Sequence, residues 1–283
     1  MWIGLKNWMT FCSRWLQSPG WGPRRMLIAA VFFIVFPVLE AMVWFGLLLD
    51  ILLFRGYRRE KVAAPVFIIG NPRSGTTFLH RLMSKDVGRF TTMRMWEVLF
   101  APSIAQRKLF HALSAAVRFF GKSPGETLSG LEKSWRRARR MHEISFLQPE
   151  EDDYLMLHIW SALGAGLSAG LIREALPYTY FDSDVPPPER KRVMAFYKAC
   201  IQRHLHARRL RRRVEPGRYL AKNPSACPKV KSLLKSFPDA RFIYLVRDPC
   251  EMVPSYFSMM TFSWEAVGIR NRHPELRAYI IEM

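Results

Sequence analysis

Residues 65–79 read PVFIIGNPRSGTTFL, and this stretch decides how the rest of the chain is read. The apolar run Val66, Phe67, Ile68, Ile69 ends at Gly70, a turn follows, and a helical pattern opens near Thr76. That order predicts a strand, an anion-binding loop and a helix. Backbone N–H groups converge at such a helix N-terminus, where the helix dipole favours negative charge. Gly70 and Gly75 let the backbone approach an oxyanion closely.

The spacing of Gly70 and Gly75 is that of a Walker A loop, but Thr76 and Thr77 stand where that motif has Lys and Ser/Thr. The fixed cation of this loop is Arg73. A P-loop kinase or NTPase is therefore one reading, weakened by the missing lysine, and an ordinary strand-to-helix turn is another.

The 283 residues hold 43 Lys+Arg against 23 Asp+Glu, a formal charge of +20 that points to an anionic partner such as a nucleotide, lipid headgroups or an acidic acceptor. Cys12, Cys200, Cys227 and Cys250 are scattered without a C-x-x-C pair, so neither a zinc site nor a disulfide framework is expected, and no metal is assigned. The basic run from Glu189 to Arg213 has few interleaved aromatics, which argues against a nucleic-acid groove.

Residues 26–54 are apolar over enough length to cross about 30 Å of hydrocarbon as a helix. Arg24 and Arg25 flank the run on one side, and Arg55, Arg58, Arg59 and Lys61 on the other, as in a membrane span. Pro37, Glu40 and Asp50 complicate it, since a carboxylate inside a bilayer must be protonated, paired or turned toward protein. Before it, Trp2, Trp8, Trp15 and Trp21 among Lys6 and Arg14 suit an interfacial helix. The expectation is an amphipathic segment and single-pass anchor over 1–62, touching membrane lipids, and a catalytic domain over 63–283. Balanced flanking charge leaves the side of the membrane open; a cytoplasmic-facing domain is the working orientation.

Residues 105–213 read as a helical insertion. Within it, Glu150, Glu151, Asp152 and Asp153 follow Pro149 as at a helix start, and His142 is a candidate base. Glu97, near the end of a short β-prone stretch from Arg89 to Met95, is a second candidate base. Further on, 218–221 reads as a strand ending at Lys222, 228–237 as a helix, and 240–246 as a second buried strand ending at Arg247. This β-α-β unit puts Lys222 and Arg247 at strand C-termini, where open α/β sheets bind ligands. The fold class is thus α/β: a P-loop-like parallel sheet flanked by helices, with a helical insertion and an N-terminal transmembrane helix.

The loop from Pro72 to Thr77, taken with Arg247-Asp248-Pro249 and Ser255 eight residues beyond Arg247, resembles the sulfotransferases that use 3′-phosphoadenosine 5′-phosphosulfate (PAPS), and AKNPSACPKVKSLLKSFPDARFIYLVRDP is similar to their membrane-bound branch. The resemblance implies that Arg73, Ser74, Gly75, Thr76 and Thr77 grip the 5′-phosphosulfate and that Arg247 and Ser255 hold the 3′-phosphate. It also implies Glu97 as base and Lys222 as the cation on the departing oxygen, with Asn223 where the tyrosylprotein branch has Asp. PAPS is then the donor, without a metal, and the acceptor is a hydroxyl or amine on a carbohydrate, lipid, peptide or small molecule. The chain stops at Met283 inside a helical pattern, without the family's basic C-terminal loop, which reads as a truncation. A catalytically inactive sulfotransferase-like membrane protein is therefore a further alternative.

Overall fold

The computed structural model describes residues 2–17, 22–119, 146–161, 167, 172–212, 215–266, 269 and 273–282. Its centre is a parallel sheet of β1 (Val66–Gly70), β2 (Phe90–Thr91), β3 (Arg218–Lys222) and β4 (Arg241–Leu245) in the order β2-β3-β1-β4. Strand β1 pairs in parallel with both β3 and β4, setting Ile68 opposite Lys222 and Gly70 opposite Leu245.

The unbroken apolar run of β1 is explained by cover on both faces. Phe67 and Ile69 point into the main core with Met93, Tyr197, Ile201, Tyr219 and Phe237. Val66 and Ile68 point the other way, against Leu220 and against Leu79 and Met83 of helix α3 (Thr76–Met83). The expected β-α-β unit is present, with β1 lying between its two strands. One expectation is corrected: β4 is not buried but an edge strand, with Tyr244 59% exposed. An apolar run does not distinguish a central strand from an edge, and only the strand order does.

Among the described residues the other helices are α1 (Trp2–Gln17), α2 (Pro23–Leu53), α4 (Met95–Leu99), α5 (Ile104–Phe119), α6 (Ile172–Thr179), α7 (Phe181–Asp184), α8 (Pro187–Arg212), α9 (Val230–Ser236), α10 (Pro249–Ala266) and α11 (His273–Glu282). Between 105 and 213 the described residues are mainly helical, with a 3-10 segment over Asp152–Ile159. A second apolar core joins Met252, Tyr256, Met260 and Trp264 of α10 to Leu276 and Tyr279 of α11 and Ile172 of α6.

Helix α2 is long and apolar enough to cross a membrane by length and composition. Its carboxylates, which would be costly in lipid, are turned toward the domain. Glu40 accepts from His158 at 2.8 Å. Asp50, fully buried, accepts from Arg203 and from the amides of Ile104 and Ala105, so it caps the start of α5. Gly46 permits a close helix crossing, for a Cβ there would stand 2.6 Å from Ser103 Oγ. Trp160 packs on Phe32 and Phe36, and Trp44 on Phe196. The opposite face, with Ile34, Val38, Met42, Phe45, Leu48 and Leu52, is exposed.

Two adjacent threonines tie the end of β2 to buried histidines: Thr92 to His80 and Thr91 to His204, each at 2.9 Å. Burial and then the Lys222 cation lower His80 to about 3, and burial followed by Arg107 and Arg208 takes His204 well below its usual value. Below about pH 6.5 unfolding takes up a proton at each, so their contribution to stability is full above that value and is lost progressively with acidification. Asp152, raised to about 6 by burial, works in the opposite direction between about pH 4 and 6. Glu150, which burial also raises, adds to Asp152, so the net acid slope is the balance of the two sets. His80→Gln removes one acid-destabilising group, so its urea midpoint should fall less, or rise more, from pH 7 to pH 5 than that of the parent.

Candidate functional site

The segment from Asn71 to Gly75 is a tight loop, closed by Ser74 N–H donating to the Asn71 carbonyl at 3.2 Å. Gly70 has φ +148 and Gly75 φ +90, the left-handed side that favours glycine. Arg73 also has positive φ (+70), a conformation costing about 1–2 kcal/mol outside glycine. The amides of Thr76 and Thr77, in the first turn of α3, have no carbonyl within the helix to donate to. Ser74 Oγ is buried and, among the described residues, has no hydrogen-bond partner. An oxyanion in the loop would satisfy both sets of donors.

The second arm closes on the first. Arg73 Nε donates to Ser255 Oγ at 2.9 Å, and Arg247 Nη1 donates to the Arg73 carbonyl at 3.0 Å. These bonds offset the strain at Arg73 and fix it against α10. Asp248 starts that helix, its Oδ1 accepting from Cys250 N–H at 2.8 Å, with Pro249 as first helical residue. Arg247 is also forked onto Glu251 Oε2 at 3.0 and 2.9 Å. All seven residues expected to bind the donor, Arg73 to Thr77 with Arg247 and Ser255, thus belong to the loop or to the arm bonded to it.

Lys222, at the C-terminal end of β3 and 2% exposed, donates to Glu151 Oε1 at 2.6 Å. Glu151 belongs to an acidic run whose members each take a different partner. Glu150 accepts from Arg81 at 2.9 Å, Asp152 from Tyr197 and Tyr219, and Asp153 from Lys229 at 2.7 Å. The run does open the 3-10 segment, as a helix start would, but its side chains turn inward to the strand ends. Burial raises Glu150 above the usual carboxylate range against the pull of Lys222 and Arg81. The available signal was composition: a helix start uses one or two acids, not four in succession.

Glu97 has a structural partner of its own. It sits in the first turn of α4 and accepts from Arg94 N–H at 2.8 Å, capping that helix, with Arg107 3.8 Å away. It faces a cavity lined by α5 and α8 residues, none from the anion loop. His142 lies outside the described residues. Among the described residues no group of three His, Cys, Asp or Glu is gathered for a metal ion. The four cysteines are free thiols.

A glycine-bracketed anion loop at the carboxyl edge of a parallel sheet, with a basic arm fastened over it, defines an α/β protein with a P-loop-like cradle. More specifically, the chain belongs to the sulfotransferase family, whose model matches residues 65–280. It is 29% identical over 197 residues to the omega-hydroxy-beta-dihydromenaquinone-9 sulfotransferase Stf3 of Mycobacterium bovis and of Mycobacterium tuberculosis, covering 68% of this chain and 44% of each relative. The chain therefore spans less than half the length of those relatives. Its fold is similar to the crystal structure of sulfotransferase STF9 from Mycobacterium avium, with a TM-score of 0.67 at 16% identity over 99% of this chain and 68% of that one. Sulfotransferase STF1 from Mycobacterium tuberculosis matches with a TM-score of 0.62 at 15% identity, over 91% and 64% of the two chains.

Proposed function

We propose that the protein transfers a sulfuryl group from PAPS to a hydroxyl presented at a membrane. The observation that carries the donor assignment is the closure of the two arms, Arg73 on Ser255 and Arg247 on the Arg73 carbonyl. The orphaned Ser74 Oγ and the first-turn amides of α3 fit a phosphosulfate. Arg247 and Ser255 then take the 3′-phosphate, a guanidinium being suited to forking across two oxygens. PAPS supplies an activated sulfuryl group on a phosphate leaving oxygen. In an in-line displacement the S–O bond to that phosphate breaks as the bond to the acceptor oxygen forms, so negative charge grows on the leaving oxygen. Lys222 and the loop amides are the donors to meet it.

The acceptor hydroxyl must lose its proton. Glu151, held on Lys222 with its side chain 28% exposed, is the carboxylate reachable both from solvent and from the loop's side of the sheet, and it is the base in this reading. The capping role of Glu97 keeps it from being the first choice. The exposed face of α2 supports membrane association. Its other face is fastened to the domain from Phe32 to Asp50, roughly 27 Å at about 1.5 Å per residue, which favours a helix sunk in one leaflet over a free-standing crossing. A lipid-borne alcohol also agrees with the acceptor in the name of the Stf3 relatives.

Calorimetry with adenosine 3′,5′-bisphosphate tests the donor half. Saturable binding is expected, weakened about 10- to 100-fold by Arg247→Ala, the loss of one charge-assisted pair. Binding of ATP with Mg²⁺ in its place would return the reading to a kinase. Labelled PAPS with a panel of lipid alcohols tests the acceptor half; nucleotide binding without transfer to any acceptor would mark an inactive member of the family.

A further inference from the structure

A second basic cavity lies away from the donor loop, between α5 and α8. It measures about 250 Å³, and its lining includes Glu97, Arg107, Lys108, His111, Arg208 and Arg211. Four of these are permanent cations and one is an acid. The acid caps α4 through Oε2, and its Oε1 stands 3.8 Å from Arg107 Nη1, so one carboxylate faces four cations. Arg107 is 3% exposed; its Nε donates to the Ala101 carbonyl and its Nη1 to His204 Nδ1, but among the described residues its Nη2 has no hydrogen-bond partner. A buried guanidinium nitrogen left without a hydrogen bond costs free energy, and an anion in the cavity would supply an acceptor for Nη2 beside the Glu97 carboxylate that already faces Nη1.

The surroundings say where that anion comes from. Lys108 sits 4.9 Å from the ring centroid of Phe54, the residue that closes α2, so the cavity lies beside the C-terminal end of the apolar helix. Leu109, Leu113 and Val117, one stripe of α5 at a spacing of four, are exposed beside it, and so is Phe110. Exposed apolar side chains of α5 thus share their helix with the basic lining of the cavity. We propose that this cavity binds the phosphate of a phospholipid headgroup, seating the domain on the bilayer by a contact separate from the donor site. Arg107 is its buried anchor, and Lys108 and Arg211 are its outer pair. The assignment rests on the membrane reading above, in which basic residues close to an anionic surface strengthen binding.

His111 provides a reporter, because it lines the cavity and lies 3.3 Å from Arg211. Burial and then the neighbouring Arg211 hold its pKa below the usual value. A bound phosphate cancels part of that field, so the pKa should rise. The test titrates dihexanoyl phosphatidylglycerol, a soluble short-chain lipid, into the full chain in neutral detergent and follows the His111 ring by NMR. Saturable binding with a rising His111 pKa is expected, weakened at least about 10-fold in Lys108→Ala/Arg211→Ala, two exposed positions whose loss leaves the fold intact. Arg107→Met should abolish binding; if it fails to fold, the double variant decides alone. An unchanged affinity in the double variant, or no saturation, overturns the proposal. Inorganic phosphate binding as tightly as the lipid also overturns it, leaving a free-anion site. Binding of the short-chain lipid without flotation of the protein on phosphatidylglycerol vesicles would uphold the cavity and sink the membrane reading.

Discussion

Lys222→Met is expected to lower turnover by about 10²- to 10³-fold while changing affinity for adenosine 3′,5′-bisphosphate only a few-fold, as for removal of one donor from a charge-stabilising site. The bisphosphate lacks the sulfuryl group and develops no new charge, so it does not draw on Lys222 as the reaction does. Methionine fills the aliphatic volume of a side chain that is 2% exposed, and the Glu151 it leaves behind is 28% exposed, so water reaches that carboxylate. The fold should therefore survive, which thermal melting would verify. Initial rates of labelled sulfate transfer beside calorimetric affinities make the measurement. Two companions separate the carboxylates: Glu151→Gln should lose about 10²- to 10⁴-fold as a missing base, and Glu97→Gln only what a weakened helix cap costs. Loss confined to the Glu97 variant would move the base there.

Gly70→Ala is expected to have the largest structural effect of any single methyl added to the site. The new Cβ would stand 2.5 Å from the Leu245 carbonyl oxygen and 2.9 Å from Ser74 Oγ, with φ at +148. The obstruction is backbone of the paired strand, which cannot rotate away, so β1 and β4 must part or the loop must shift. Overpacking and a left-handed φ together should lower stability by about 2–4 kcal/mol and abolish bisphosphate binding. Gly75→Ala is the control: φ is +90 but nothing lies within 4 Å of its Cβ, so the cost should be only the conformational part, about 1–2 kcal/mol. Denaturant midpoints of the two variants give the comparison, and equal losses would mean that the close approach at Leu245 carries no weight.

The extent of sequence legibility varies by region for identifiable reasons. The strand, loop and helix over residues 65–79 are local, because glycine spacing, apolar run and helix start are all written within one short segment. The β3–α9–β4 unit is nearly as local. The acids after Pro149 start a helical segment, as their position predicts, and they also neutralise Lys222, Lys229 and Arg81, which are distant in sequence and which no local pattern links to them. Glu97 reads as a candidate base from its place at the end of a β-prone stretch, and the structure adds a local bond to the Arg94 amide that gives it a capping role. Residues 26–54 read as a membrane span because hydropathy counts every face of a helix; one face is held by His158, Arg203 and Trp160.

By itself the sequence determined the strand, loop and helix around Gly70 and the parallel β-α-β framework, since these rest on glycine conformation and strand periodicity, while the pairing of Arg73 with a distant Arg247 and Ser255 was what the family resemblance implied. Only the tertiary structure decided that β1 lies between β3 and β4, that Lys222 meets Glu151, that Glu97 faces a separate basic cavity, and that α2 is bound along one face. Each of those is a contact between segments far apart in the chain, and its energy comes from burial and from satisfying charges that no local pattern encodes.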